Sequence, residues 1–518
     1  MIKMYRIDNG QISLAEFMSP FGKLDNKNRW VKIANMIPWS KFEEKYKNQF
    51  CTDNGAPAIK FRMAMGTLLI KQATGRSDDD ILEDILESPY KQYLIGLHEF
   101  TTKPPFAQSS ITNFRKYITS EMINEINDIL FRSDDNDPND NNGDSNNQED
   151  DLNEEVNINE AQARDVELSA DKQSEVEATQ ENRVENKGTL ILDATCTPSD
   201  IAYPTDINLL NEAREKLEAI IDSLYQHSSL FLKPRTYRKV ARGEYLQFIL
   251  QKNPSNEKRR EAIEQQLKYV KRNLKHTYNL LKTVAIEKLS KPQQAWLETI
   301  HLLYDQQQYM FQNNTHVVPN RIVSIGQPHV RPIKRSKAKA NYEFGAKVGI
   351  SLIEGYAFID RLSWDSYNEE SDLIPAVEAY KKQYGCYPER VLADQIYRNT
   401  ANRKYCKIHG IRLSGPRLGR PPANIDRNEL KIQAKDSADR NPVKGKFGEG
   451  KQKYGLGRIM ARIKESCETV ISLAFLCMNI NRRLRTLLRF FISTRCFLVF
   501  KPLLFDWDYQ FYHHRLFV

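Results

Sequence analysis

The sequence predicts an α/β protein whose sheet is interrupted by a large helical insertion and preceded by an all-α N-terminal domain. Three observations lead there: helical periodicity through residues 1–132, an abrupt acidic stretch over 133–187, and short β-branched runs alternating with helical patterns after residue 188. In the first region Pro57–Ala73 repeats apolar residues at Ile59, Met63, Leu68 and Leu69. The Ser-Asp-Asp-Asp start at Ser77 opens a capped helix over Ile81–Leu86, and Pro89–Leu97 and Ser110–Ile129 continue the pattern. Beyond the acidic stretch, Thr189–Asp193 (TLILD) reads as a buried strand. About 207–335 returns to long basic helical patterns that form the insertion. Gly345–Ile353 and Tyr356–Leu362 predict a hairpin around Glu354-Gly355. A helix over Leu373–Tyr384 then leads to the strand Arg390–Ala393, with a further strand at Gly410–Leu413. The last strong helix is predicted over Leu456–Leu488, its apolar face formed by Leu456, Ile459, Met460, Ile463, Val470 and Leu473.

Charge is unevenly spread. The chain carries a net +9 over 518 residues, but 133–187 holds 18 acidic against 4 basic residues, a local −14 that leaves +23 on the remainder. A segment so acidic, with no aromatic residue, cannot bury enough apolar surface to offset its ordering entropy, and it is expected to be a disordered linker. The basic remainder points to a polyanionic partner, nucleic acid first. Seven scattered cysteines without a CxxC pair argue against a disulfide framework and a zinc ribbon, and for a reducing compartment. The start MIKMYRIDNG has no apolar segment of the secretory kind. The apolar stretches near the C-terminus are broken by Arg482, Arg483, Arg489 and Arg495, short of the roughly 20 residues that span a bilayer. No membrane partner is expected, and the cytoplasm is the expected compartment.

Two aspartates share a context: Asp193 ends TLILD and Asp394 ends RVLAD. A carboxylate at the end of a buried strand projects into the crevice where such folds place their sites. Two of them, with a third from a helix, can hold two hard cations about 4 Å apart for in-line phosphoryl displacement. On spacing alone, an Asp after a strand is more often a turn or N-cap residue. A second constellation is basic. Arg235, Arg238, Lys239 and Arg242 are interleaved with Tyr237 and Tyr245, and RPIKRSKAK adds Arg331, Lys334 and Arg335. Such density suits phosphates, with rings available to stack on unpaired bases; the competing reading is a solvated helix face.

Long blocks carry a resemblance. They include LILDATCTPSDIAYPTDINLLNEAREK (191–217), EFGAKVGISLIEGYAFIDRLSWDSYNE (343–369), YPERVLADQIYRNTANRKYCKIHGIRLSGPRLGRP (387–421) and RNPVKGKFGEGKQKYGLGRIMARIKE (440–465). IVSIGQPHVRPI (322–333) and, near the N-terminus, residues 61–97 and 109–116 add to them. In these blocks the chain resembles the DDE transposases of bacterial insertion sequences of the "insertion sequence five" group, in particular the 1182-like type. The resemblance implies an RNase H-like core over 188–488 and a metal-held D, D, E triad with Mg²⁺ (or Mn²⁺) as cofactor. DNA element ends and target DNA would be the partners, the chain would act as a homodimer on DNA, and 1–132 would bind the ends or dimerise. Asp193 and Asp394 match the two aspartates and would be the metal ligands. The third carboxylate belongs to a signature of R, three residues, E, six residues, K; Arg440 and Lys451 fit it, and the intervening position is Lys444.

An ammonium cannot coordinate Mg²⁺ and repels it, so this departure opposes catalysis and leaves a DNA-binding relative without activity as the alternative. A nucleoid-type basic protein is a third reading. Glu449 is the fallback carboxylate, although i and i+5 differ by roughly 140° around a helix. Arg440, Lys446 and Lys451 are expected to hold the scissile strand. The nine histidines form no HxH or HExxH pattern, His329 reads as structural, and Trp364 reads as core. The aromatic tail 489–518 falls outside the resemblance.

Overall fold

The run that opens at Thr189 does not stop at Asp193; it stays extended for five more residues because both of its edges find partners. The computed structural model describes residues 3–4, 13–14, 16–51, 56–132, 185–337, 340–415 and 427–486. Among them a six-stranded sheet contains β1 (Thr189–Pro198), β2 (Arg331–Lys337), β3 (Ala340–Ile353), β4 (Tyr356–Ser363), β5 (Arg390–Leu392) and β6 (Arg412–Leu413). Across the sheet the order is β4, β3, β1, β5, β6. The first two pairings are antiparallel and the last two parallel, while β2 pairs antiparallel with the first part of β3. The expected hairpin is present, and Glu354 and Gly355 turn at φ 50° and 81°, the left-handed pair that a tight two-residue hairpin requires.

The N-terminal helices are α1 (Arg29–Met36), α2 (Trp39–Lys47), α3 (Phe61–Thr74), α4 (Ile81–Leu86), α5 (Pro89–Leu94), α6 (Ser110–Tyr117) and α7 (Ser120–Phe131). Where periodicity predicts one helix over Ser110–Ile129, the chain breaks at Ile118. Thr119 then caps α7, its hydroxyl accepting from the Met122 amide at 3.4 Å. This region is not purely helical, since Lys3–Met4 pairs with Ala56–Pro57 in a short parallel ladder.

The insertion is α8 (Asp206–Gln226), α9 (Arg238–Ile249), α10 (Asn256–Leu281) and α11 (Lys291–Gln312). It closes before residue 331, so the basic run expected within it instead begins on β2, a strand of the sheet. After β4 come α12 (Leu373–Tyr384) and α13 (Thr400–Ile408), then α14 (Arg427–Lys453) and a final helix α15 over 464–486. The last helix starts eight residues later than periodicity predicts. Ile459 instead extends the β1 edge, its amide donating to Pro198 O at 2.8 Å, and Met460 and Ile463 are exposed.

Two apolar cores result among the described residues. One joins the N-terminal helices, the sheet, α12, α14 and α15. At its centre Asn479, fully buried, donates to Asn127 Oδ1 (2.9 Å) and Ala357 O (2.7 Å) and accepts from the Ala357 amide (2.9 Å). The other belongs to the insertion alone, where Leu210, Leu217, Ile220 and Leu224 of α8 meet Val270 and Leu274 of α10 and Leu297 and Ile300 of α11. The expected linker falls almost wholly outside the described residues, as does the tail 489–518. Among the described residues no helix is long and apolar enough to cross a membrane.

Candidate functional site

The register of β1 and β5 brings the two aspartates together. Their last parallel pair is Ile191 with Leu392, and Asp193 and Asp394 each lie two residues beyond it. Residues two apart on a strand share a face, so the two carboxylates emerge side by side where the strands part. Asp193 therefore sits within β1 rather than at its end, as the TLILD pattern had suggested; the antiparallel partner β3 keeps the strand extended past it. Its Oδ1 accepts from the Ala194 amide at 2.9 Å. Burial pushes the Asp193 carboxyl above its usual range. The Ala194 amide and the Arg440 charge work against that shift, while Glu369 and Asp394 add to it. Asp394 is more open and caps a short turn, Oδ1 accepting from the Gln395 amide at 2.7 Å. Its carboxyl lies below the usual range: burial alone would raise it, but the Gln395 amide, Arg440 and Lys444 outweigh that.

Helix α14 carries the basic half of the site. Asp436, Arg440, Val443 and Phe447 follow the i, i+4, i+7, i+11 spacing of one face, and that face lies on β1 and β5. Buried Asp436 anchors it through Arg412 of β6 (2.9 Å), and Asp439 through Arg390 of β5 (2.7 Å). One turn on, Arg440 Nη1 meets Asp394 Oδ1 at 3.1 Å, and Lys444, exposed, adds its charge beside the same carboxylate. Glu449 points elsewhere: its partners are Arg485 (3.3 Å) and Lys446 (4.0 Å), so the fallback carboxylate is turned away from the aspartates.

Lys446 is not on the open face either. It is buried, and burial brings its ammonium down to about 8 despite Glu449. Lys451 lies further along the same helix, partly buried.

Sequence reasoning missed Glu369. It opens a short turn ahead of α12, pairs with Lys347 of β3 at 2.8 Å, and is close enough to Asp193 to oppose its ionisation. Asn402 ties this turn to the Asp394 turn, donating to Glu370 O (2.8 Å) and Tyr397 O (2.9 Å). Nothing in local periodicity marks Glu369; only the packing of two turns does. Tyr397, buried between them, keeps its proton, first through burial and then through Glu369 and Asp193.

The other basic residues sit on separate elements. Arg235 lies just before α9 and Lys239 and Arg242 on it, all exposed, whereas Arg238 pairs with Asp222 at 2.7 Å. Arg331 is half-buried and donates to Val330 O at 3.0 Å, Lys334 is exposed, and the Arg335 side chain lies outside the described residues. His329 packs edge-on against Trp364 (4.3 Å between ring centroids), and burial pushes its imidazole down to about 4. Trp364 is buried and donates to Glu468 at 2.8 Å, so both are structural.

The donor set does not fit a pair of divalent cations. Among the described residues no group of three or more His, Cys, Asp or Glu is placed to hold a metal ion. Of the three signature positions two hold carboxylates, one of them paired with a guanidinium, the third holds an ammonium, and nearby Glu369 is paired with Lys347. What the arrangement offers is an edge where Asp193 and Asp394, with Glu369 near Asp193, face the cationic Arg440 and Lys444.

Comparison with known proteins agrees with this region. A family model described as "Transposase DDE domain" matches residues 391–481, which include Asp394, Arg440 and Lys444. A second, "Transposase domain (DUF772)", matches residues 19–117, in the N-terminal helices. Over 96 residues the chain is 31% identical to a Rhizobium meliloti protein described as "Uncharacterized protein ORF8 in nfe locus". That match takes in 18% of this chain and 46% of the relative, so the chain spans less than half of the relative's length. No solved structure matches the chain. The two family models thus place similarity to transposase domains in the N-terminal helices and in the segment from β5 to α15. The two models support similarity to DDE transposases, a class that generally uses divalent metals and acts on DNA.

Proposed function

We propose that the protein is a DNA transposase that binds the ends of its insertion sequence and works on their strands at the Asp193–Asp394 edge, by cleavage followed by strand transfer. The observation that carries the reading is the pair of aspartates at equivalent positions on neighbouring parallel strands, with Arg440 of α14 over them. The strand order β4, β3, β1, β5, β6, antiparallel then parallel, supports an RNase H-like core. Within this reading 188–488 is the catalytic unit and 1–132 recognises ends or dimerises. The active species is a homodimer on DNA, in a bacterial cytoplasm.

Mg²⁺ or Mn²⁺ is the cofactor the class would supply for activating the attacking oxygen, with Asp193 and Asp394 as its remaining candidate ligands. Lys444 opposes that role. A second reading therefore stands on one observation: the cation at position 444, beside Asp394, suits a chain that grips DNA phosphates without cutting.

Strand cleavage of labelled duplexes covering the DNA that flanks the gene separates the two, comparing the native chain with Lys444→Glu in Mg²⁺ and Mn²⁺. Cutting by the variant alone assigns the family chemistry to this edge and makes Lys444 a natural block. Cutting by the native chain assigns the third carboxylate elsewhere, with Glu369→Gln as the next variant. Binding without cutting by either leaves the second reading.

A further inference from the structure

The loop between α8 and α9 presents an anomaly. Leu230, Phe231 and Leu232 are consecutive, apolar, and 49%, 94% and 76% exposed. A solvated chain has no reason to hold three large apolar side chains outward, and such a patch marks a contact surface.

The loop is also pinned. Tyr225 donates to Phe231 O at 3.4 Å, and Ser228 donates to Tyr225 O. Asp222 of α8 holds Lys233 and, at 2.7 Å, Arg238. On the far side Arg272 of α10 donates to Thr236 O at 2.7 Å and lies 4.6 Å from the centre of the Tyr237 ring, whose residue sits at φ 52°. A non-glycine residue in the left-handed region is strained and persists only where its surroundings impose it. The apolar tip is thus held in place from both ends.

Its frame is cationic. Arg235, Lys239 and Arg242 are exposed and carry no ion pair among the described residues. A second copy of this surface would meet like charge, whereas a polyanion would meet opposite charge. Apolar side chains flanked by Lys and Arg are the elements with which proteins part a DNA base step while holding its phosphates.

We propose that the Leu230–Leu232 tip is a DNA wedge. It enters between base pairs of the bound duplex, with Phe231 stacking on an unpaired face while Arg235, Lys239 and Arg242 hold the backbone on either side. The inference rests on the DNA-binding reading above, and it adds a strand-opening role to the insertion.

The test uses the full chain and duplexes tiling the DNA beside the gene, each with one 2-aminopurine, whose fluorescence rises on unstacking. The native chain is expected to raise the signal at one position or two adjacent ones. Phe231→Ala should abolish that rise and weaken binding about tenfold, the loss of one stacking ring. Lys239→Ala should keep the rise and lower the salt slope of binding by about one. Phe231 is so exposed that its removal leaves the fold intact, which circular dichroism checks. A variant that binds and unstacks like the native chain overturns the wedge alone. So does one that leaves the fluorescence unchanged but converts a dimer to a monomer in sedimentation, since the tip would then belong to a second copy. A native chain that binds no duplex overturns the DNA reading itself.

Discussion

The two helical parts of this protein are built on opposite plans. Among the described residues the N-terminal helices α1–α7 share one core with the sheet and α15, and Asn127, Asn479 and Ala357 join three distant segments by buried hydrogen bonds. The insertion α8–α11, by contrast, closes a private core and carries its own buried polar lock, Arg214 with Glu218 and Asn211 at 2.7 Å each. Both regions are helical and comparably long, so helix content says nothing about independence. What decides it is where the apolar stripe of each helix finds its partner: within its own segment for the insertion, and across the chain for the N-terminal helices.

The comparison can be broken most decisively by deletion. Replacing 206–312 with a short Gly-Ser linker is expected to leave a folded remainder with a cooperative melt. Removing 1–132 is expected to leave an insoluble one, because it uncovers the apolar faces of β4 and α15. Soluble yield and circular dichroism check both, and a soluble, cooperatively melting 133–518 would show the N-terminal helices to be a separable unit after all.

Smaller effects sharpen it. Leu217→Ala should cost about 3 kcal/mol and Asn479→Ala about 2 kcal/mol, but in different places. Hydrogen exchange after Leu217→Ala should speed up only in α8–α11. After Asn479→Ala it should speed up in α7, β4 and α15 together. Uniform acceleration in both variants would mean that the two cores unfold as one.

A further expected effect is a pH dependence. Glu43 of α2 is buried, and burial pushes its carboxyl up to about 7 against the pull of Lys60 and the Phe61 amide. The folded state then holds a proton that the unfolded chain releases near 4.5. Glu43 therefore makes its full contribution below that value, and stability falls as pH rises from about 4.5 to about 7, by roughly 2–3 kcal/mol at most. Glu43→Gln should remove this slope from the melt of the shared core and leave the insertion's melt unchanged. An unaltered slope would assign the dependence to another group.

Much was legible in the chain. Asp193, Asp394 and the lysine at the third signature position were singled out by the resemblance, since spacing alone reads such aspartates as turn or cap residues. The Glu354-Gly355 hairpin and the helices around α4 and α12 rest on local chemistry: turn residues, caps and periodicity. These act within a few positions, and the sequence by itself determined them. The tertiary structure decided what depends on distant partners. Pairing with β3 put Asp193 inside a strand, and the bridge to Pro198 kept 456–463 out of the last helix. Packing on α15 turned Glu449 toward Arg485, burial removed Lys446 from the basic face, and the meeting of two turns brought Glu369 toward Asp193. In each case the deciding energy is burial or cross-strand hydrogen bonding between residues far apart in sequence, which no local pattern encodes.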